Sequence, residues 1–191
     1  MEIRFAAPAD GAALLAIYGQ YLDTPVTFED ARPSEAEFRR RIAAYGSTHP
    51  YLVGEENGRI LGYAYAHRLG ERAAYQWSAE LSIYLDRSAA GRGLGRRLYG
   101  ALMELLRLQG VRTVYGCVTL PNPASEGLHT AMGFSRSGVW HRSGYKCGAW
   151  RDVAWFEKTI APYDQAPAPL RSIGEVPPEA AEAVLAQFSG A

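Results

Sequence analysis

AGRGLGRRLYGALMELL, residues 90–106, joins a glycine- and arginine-rich corner to an amphipathic run of leucines. A helix that begins at such a corner leaves several backbone N–H groups unpaired and carries partial positive charge at its start. The stretch therefore predicts an anion site, for which pyrophosphate is the natural guest. The alternative is a glycine-rich turn with solvated arginines. The residues concerned are Gly91, Arg92, Gly93, Gly95, Arg96 and Arg97.

Two common phosphate-binding motifs do not fit this corner. A Walker loop ends in G-K-S/T, which the chain lacks. A dinucleotide fingerprint, G-x-G-x-x-G, read from Gly93 would place its third glycine at Leu98.

The residues before the corner predict strands and helices in alternation. Apolar residues recur at helical spacing in 12–22, and Ser34 with Glu37 is typical of a capping box that starts a second helix. The turn 56–58 reads E-N-G, which predicts a hairpin. Strands are predicted at residues 2–6, on both sides of this turn, and at 79–85.

After the corner, the leucine-rich helix is predicted to end near Gln109, before Gly110. A strand at 111–118, a helix from PNPAS to about Met132 and a last strand at 151–160 follow, and residues 134–150 are interpreted as a loop rich in glycine and aromatics. This order predicts an α+β fold, with a sheet flanked by helices. The division into domains is predicted as 1–161, followed by a Pro-rich C-terminal extension, 162–191, with a short helix at 177–188.

Composition limits the function classes. The 191 residues carry 20 basic and 20 acidic side chains, so no overall charge attracts nucleic acid or an anionic membrane. Apolar runs are too short to span a bilayer, and the N-terminus lacks a signal-peptide pattern. Cys117 and Cys147 predict free thiols in the cytoplasm. His49, His67 and His141 lack metal-ligand spacing, so we expect no metal.

The segment ELSIYLDRSAAGRGLGRRLYGALMELL resembles the acetyl-CoA-binding core of the GCN5-related N-acetyltransferases, whose loop reads Q/R-x-x-G-x-G/A. Ala90 departs from the first position of that loop. LPNPASEGLHTAMGF is similar to the family's N-x-x-S/A-x-x-x-Y-x-x-x-GF pattern, with His129 at the tyrosine position. The resemblance implies that the corner holds the coenzyme A pyrophosphate. The loop residues so implicated are Ala90, Gly91, Arg92, Gly93, Leu94, Gly95 and Arg96.

Three segments, GYAYAHRLGERAAYQWSAE, LHTAMGF and GYKCGAWRDVAWFE, resemble the narrower phosphinothricin and methionine sulfoximine acetyltransferase group. The likeness covers roughly residues 2–160. It implies a mixed, mostly antiparallel twisted sheet with acetyl-CoA in the splay between the central strands. It further implies acetyl transfer from the thioester to the α-amino group of a small amino-acid-like molecule.

An ammonium group must lose a proton before it can attack a thioester, so a base is needed. Glu80 stands where the phosphinothricin and methionine sulfoximine acetyltransferase group has a glutamate. The neighbouring Trp77, Ala79 and Leu81 would raise the pKa of its carboxyl. The alternative is an exposed glutamate on a strand. His129 is the second candidate, either as a base through water or as the proton donor to the departing thiolate. A purely structural histidine is the alternative.

Backbone N–H groups around Ile83 and Leu85 are expected, by the resemblance, to face the thioester oxygen and the pantetheine amides. Asn122 and Ser125 are placed with them as coenzyme contacts. The alternative for Asn122 is plain turn chemistry between two prolines.

The resemblance implies acceptor contacts at Arg72 and Tyr75, and the aromatic residues Phe28, Tyr21 and Tyr84 are candidates to line an amino-acid-sized pocket. An arginine fork suits a carboxylate or a phosphinate. Familiar members carry a lysine two positions before that arginine, where this chain has Gly70. The alternatives are a solvated loop arginine and aromatic side chains that only fill the core.

Two other functions stay open at this point. One is a protein or peptide N-acetyltransferase, and the other is a non-catalytic domain that binds coenzyme A. The group commonly forms dimers, so we expect a homodimer with the segment GYKCGAW, residues 144–150, in the contact.

Overall fold

The computed structural model describes residues 1–163 and 166–190. Seven strands form one sheet in the order β1-β2-β3-β4-β5-β7-β6. The strands are β1 (Glu2–Phe5), β2 (Tyr51–Glu56), β3 (Arg59–Arg68), β4 (Ser78–Leu85), β5 (Thr113–Thr119), β6 (Ser135–Lys146) and β7 (Ala149–Thr159). The helices are α1 (Gly11–Gly19), α2 (Glu35–Gly46), α3 (Leu94–Gln109), α4 (Pro123–Ala131) and α5 (Pro178–Phe188).

The β4–β5 pair is parallel, and the other neighbouring strands run antiparallel. The predicted mixed, mostly antiparallel sheet flanked by helices is therefore confirmed. Pairing between β4 and β5 starts at Ser78 and Thr113 and ends at Leu81 and Gly116. Beyond that point β4 continues against β3, and β5 continues against β7. The two central strands thus separate and leave a fork open in the middle of the sheet.

Each face of the sheet has its own apolar core. Under α3, the side chains of Leu98, Leu102 and Leu105 are fully buried, because the leucine-rich run turns one wide stripe inward. Leu14 of α1 and Ile42 of α2 anchor the second core on the opposite face.

The C-terminal extension packs along α3. Val176 and Ala181 are buried in the core under that helix. The Phe188 ring lies over Gly100, where a Cβ atom would come within 2.3 Å of it. The Arg97 guanidinium donates hydrogen bonds to the carbonyl oxygens of Phe188 and Gly190, both at 2.8 Å. Arg97 of the glycine corner is therefore held by the C-terminal extension.

The stretch 134–150 is not a loop, as its composition suggested, because it contains β6 and the start of β7. β6 is one of the two edge strands of the sheet, and nearly all of its side chains are exposed or half-buried. Such a strand needs no alternation of apolar and polar residues, so the periodicity that reveals a strand is missing.

Two local predictions at the first helices were also inexact. α1 ends at Gly19, three residues before the predicted end. Ser34 Oγ accepts the Glu37 N–H at 3.1 Å as expected, but the Glu37 carboxylate turns to Arg40 and Arg41, so the cap is one-sided. No helix in the described part of the chain combines the length and the apolar character needed to cross a bilayer.

Candidate active site

A cavity of about 200 Å³ occupies the fork between β4 and β5. Several side chains proposed from the sequence line it, which means that they come together in the folded chain although they lie far apart in sequence. These are Ile83, Tyr84 and Leu85 of β4, Ala90 of the corner, and Asn122, Ser125 and His129 at α4.

The glycine corner begins α3 without a side-chain cap. Gly91 and Gly93 have φ values of 77° and 82°, and Gly93 is the N-cap residue of the helix. A Cβ atom at either position would meet no atom within 4 Å, so the space in front of the helix start is open. Uncapped N–H groups beside open space suit an anionic ligand.

The three corner arginines differ in their contacts. Arg92 Nη2 contacts both carboxylate oxygens of Glu56, at 3.0 and 2.8 Å. Arg97 donates hydrogen bonds to backbone carbonyl oxygens of the C-terminal extension. Arg96 is exposed and has no polar side-chain partner among the residues that the structure describes. Of the three, Arg96 has the guanidinium that is available to a phosphate.

Two corner residues serve packing as well. Leu94 is buried, and its side chain fills the space left by Gly54 and Gly62 on the neighbouring strands. Gly95 lets Leu128 of α4 approach, since a Cβ there would lie 3.3 Å from the leucine. These contacts set the corner against the sheet and against α4.

His129 is nearly inaccessible and lies directly on the backbone of the fork. A Cβ atom added to Gly116 would come within 2.2 Å of His129 Nε2. His129 Nδ1 is 2.8 Å from the Ser125 carbonyl oxygen, which can only accept, so Nδ1 carries the proton. Nε2 then has the lone pair and lies 3.5 Å from the Tyr99 hydroxyl. Burial lowers the pKa of His129, which keeps the imidazole neutral.

Glu80 lies between His67 of β3 and Tyr115 of β5 in the sheet register. Burial raises the pKa of the Glu80 carboxyl, and the nearby His67 works in the opposite direction. Among the described residues no side-chain hydrogen bond holds this carboxylate. A carboxylate with a raised pKa and a free lone pair is suited to take a proton near neutral pH.

Glu80 and His129 approach the fork from opposite faces of the sheet. Leu81 belongs to the core under α3, and neighbouring strand residues point to opposite faces, so Glu80 faces the α1–α2 side. His129 packs against Tyr99 and Phe156, both in the core under α3. His129 lines the fork cavity, whereas Glu80 does not: it pairs with Tyr115 one register position before the last β4–β5 pair.

The start of α4 is capped by Asn122, whose Oδ1 accepts the Ser125 N–H at 3.2 Å. This hydrogen bond is the turn role that the sequence analysis gave as the alternative for Asn122. The cap leaves the amide nitrogen of Asn122, which lines the cavity, available to a ligand.

The proposed acceptor residues lie outside the fork cavity, with the exception of Tyr21 and Tyr84. Arg72 is exposed and has no polar side-chain partner within the described chain. Tyr75 packs on Gly70, where a Cβ would lie 3.0 Å from Tyr75 Cδ2. The Phe28 ring packs on Gly144 of β6.

Sequence reasoning missed part of the cavity wall, including Val26, Tyr99 and Cys117. Burial and the Glu80 charge raise the pKa of the Cys117 thiol to about 12, so the thiol stays protonated. Alternation along β5 could have placed Cys117 on the same face as Tyr115. Nothing local in the sequence marks Tyr99, which is an ordinary core position of α3.

A second hollow of about 480 Å³, the aromatic hollow, was also missed because β6 contributes to it. It is lined by Leu69, Tyr75, Tyr115, Ser137, Gly138, Trp140 and Trp155. The described residues contain no group of three or more His, Cys, Asp or Glu side chains arranged to hold a metal ion.

Known proteins share this fold and sequence pattern. The profile of a family described as acetyltransferase (GNAT) domain matches residues 3–155. A phosphinothricin N-acetyltransferase of Streptomyces viridochromogenes is 33% identical over 177 residues, which is 92% of this chain and 94% of the relative. An L-methionine sulfoximine/L-methionine sulfone acetyltransferase of Pseudomonas aeruginosa is 33% identical over 175 residues, or 87% and 98% of the two chains. A similar solved structure is the crystal structure of a GNAT superfamily phosphinothricin acetyltransferase from Sinorhizobium meliloti in complex with AcCoA. It superposes with a TM-score of 0.83 and is 33% identical in sequence. The match covers 87% of this chain and 92% of that one.

Proposed function

Because the chain belongs to the GNAT family and is an acetyl-CoA-dependent N-acetyltransferase, we propose that it acetylates the α-amino group of a small amino-acid-like molecule. The observation that carries this proposal is the fork itself, with His129 in its wall and with Glu80 on β4 just before the two strands separate. The likeness to phosphinothricin and methionine sulfoximine acetyltransferases over most of the chain supports the class of acceptor.

The coenzyme fits along a continuous path. Its pyrophosphate lies at the uncapped start of α3, between the open backbone at Gly91 and Gly93 and the free guanidinium of Arg96. Its pantetheine arm runs through the fork, where Asn122 and the separated strands offer polar groups. Ser125 lies at the same end of the cavity.

Glu80 removes a proton from the acceptor ammonium. The amine nitrogen then attacks the thioester carbon, the new C–N bond forms, and the C–S bond breaks. Backbone N–H groups of β4 near Ile83 and Leu85 stabilise the negative charge on the carbonyl oxygen. The thiolate leaves, and it takes up the second proton, which the attacking nitrogen loses as the amide forms. Since His129 Nε2 holds a lone pair, the histidine must accept a proton before it can donate one to that thiolate.

The acidic end of the acceptor pairs with Arg72, whose guanidinium is exposed and close in sequence to Tyr75. A bidentate contact from arginine to a carboxylate provides both charge and orientation. Gly70, in place of a lysine, leaves the loop with one positive charge fewer for a second acidic group.

The test is release of free coenzyme A thiol from acetyl-CoA with a panel of amines. The panel holds phosphinothricin, methionine sulfoximine, methionine sulfone, ordinary L-amino acids, a polyamine and a lysine peptide. Turnover of amino-acid-like amines is expected. Turnover of the peptide alone would indicate a protein acetyltransferase, and saturable acetyl-CoA binding without turnover would indicate a non-catalytic coenzyme A-binding domain.

We further propose a homodimer in the cytoplasm. The exposed rings of Tyr145 and Trp150, whose centroids lie 5.5 Å apart, support a contact through residues 144–150. The free thiols of Cys117 and Cys147 suit a reducing compartment. A light-scattering mass of one chain would contradict the dimer, and cell fractionation tests the location.

A further inference from the structure

We propose that the aromatic hollow is the side-chain subsite for the acceptor, and that it selects α-amino acids with a bulky apolar side chain, above all an aromatic one. This inference rests on the proposed function and deepens it. It assigns a place to the part of the acceptor that neither Glu80 nor Arg72 contacts.

The hollow adjoins the reacting centre on two sides. Tyr115, in its wall, is opposite Glu80 in the β4–β5 register. Trp155, also in its wall, is opposite Cys117 in the β5–β7 register, and Cys117 lines the fork cavity. Side chains opposite each other in a sheet lie on one face, about 5 Å apart at Cβ. An α-nitrogen beside Glu80 therefore places its own side chain within reach of the hollow.

The wall is apolar. Its large side chains are Leu69, Tyr75, Tyr115, Trp140 and Trp155, and no charged side chain lines it within the described residues. The Trp140 and Trp155 rings lie 5.1 Å apart between centroids at an angle of 58°, so they form a corner against which another ring can pack. The volume of about 480 Å³ lies in the usual range for small-molecule sites.

One loop connects the hollow to the charge that would hold the acceptor's carboxylate. Leu69 and Tyr75 bracket Arg72 in sequence and belong to the wall, while Arg72 itself does not. Gly70 admits the Tyr75 ring, because any side chain there would crowd it at 3.0 Å. The three groups of an α-amino acid thus find three separate partners: Glu80 for the amine, Arg72 for the carboxylate and the aromatic hollow for the side chain.

Gly138 allows the hollow to be filled without disturbing the fold. It lies in the wall on edge strand β6, and a Cβ atom there would meet nothing within 4 Å. Gly138→Leu should lower kcat/KM for L-phenylalanine by about tenfold or more, the usual value of an apolar side chain in such a pocket. L-Alanine should change by less than about twofold, because it does not reach the hollow. Gly138→Ala is the small-volume control.

Trp140→Ala removes one wall, and Phe5→Ala truncates a partly exposed aromatic on β1 at the far edge of the sheet. The first should reduce the preference of L-phenylalanine over L-alanine, and the second should not. The parent enzyme should prefer L-phenylalanine to L-aspartate.

The outcomes separate this inference from the proposed function. If no amine is acetylated, the proposed function fails. If L-alanine and L-phenylalanine are acetylated equally well and Gly138→Leu affects both alike, the inference alone is overturned. It is also overturned if Trp140→Ala changes the light-scattering mass while the selectivity stays the same, since the hollow would then be a contact between two copies of the chain.

Discussion

His67 lies directly opposite Glu80 in the antiparallel β3–β4 ladder. Its Nδ1 is 2.9 Å from the Arg68 carbonyl oxygen, so this nitrogen carries the proton and Nε2 is left free. The ring stacks on Tyr45 with centroids 5.4 Å apart. The candidate base therefore has a histidine as cross-strand neighbour, with its ring held in a fixed position.

The rate should depend on the ionisation of Glu80. Since burial raises the pKa of this carboxyl above 4.5, kcat/KM should fall as the pH drops through that raised pKa and should level off above it. Glu80→Gln should lower kcat by about 10²- to 10⁴-fold, the usual contribution of a general base. An unchanged rate and pH profile would exclude Glu80 from that role.

His67→Gln should move this acid limb to higher pH. A protonated His67 favours the carboxylate, so its loss raises the pKa of Glu80 further. The variant should therefore keep a smaller share of its pH 8 activity at pH 6 than the parent does. The other side chains near Glu80, which are Tyr65, Tyr99, Tyr115 and Cys117, are neutral at these pH values, so they do not mask the effect. An acid limb that stays in place would show that His67 does not influence the base.

Gly116→Ala should push His129 away from the fork. The added Cβ would lie 2.2 Å from Nε2, so either the ring or the backbone must shift, which typically costs about 1–3 kcal/mol of stability. We expect kcat to fall more than the KM for acetyl-CoA rises. Gly127→Ala on α4 is the control, because its Cβ meets no atom within 4 Å. Equal effects of the two substitutions would contradict a role for the His129 position.

Glu56→Gln should tighten acetyl-CoA binding. Glu56 holds Arg92 beside the corner and places a negative charge near the pyrophosphate site. Because the pair is largely exposed, the KM for acetyl-CoA should fall by only about two- to fivefold, and the effect should fade at high salt. Glu104→Gln removes a comparable exposed partner, that of Arg107, nearer the other end of α3 and should leave this KM unchanged.

The buried His49 should make stability dependent on pH. Burial lowers its pKa from 6.5 to about 4, so the unfolded chain binds the proton first and the free energy of unfolding falls as the pH drops from 6.5 towards 4. His49 should account for a loss of about 2 kcal/mol between pH 7 and pH 5. Urea unfolding of His49→Asn should show a pH dependence smaller by that amount.

Local patterns predicted the elements around the proposed coenzyme site. Gly93 and Gly110, both with positive φ, mark the start and end of α3 as the sequence indicated, and the leucines between them are buried. The motif that contains Asn122 and His129 is continuous in sequence, so it identifies one side of the cavity without knowledge of the fold.

The proposed acceptor site depends on strand pairings that no local sequence pattern reveals. Trp140 lies on a strand whose sequence lacks alternation, and Trp155 approaches Cys117 only through the β5–β7 register. The Phe28 ring turns to Gly144, more than a hundred residues away in sequence. Side chains of this kind are placed by the assembled sheet, and the sequence alone could not give their directions.

The position of β6 at the edge of the sheet has a consequence for how this enzyme can change. Part of the aromatic hollow is built on this outermost strand, where side chains contribute little to the core, while the proposed coenzyme site lies on central strands and at the start of α3. Mutations that remodel acceptor choice can therefore accumulate in β6 at small cost to folding. A few substitutions in this one strand are therefore enough to change which amine the enzyme prefers.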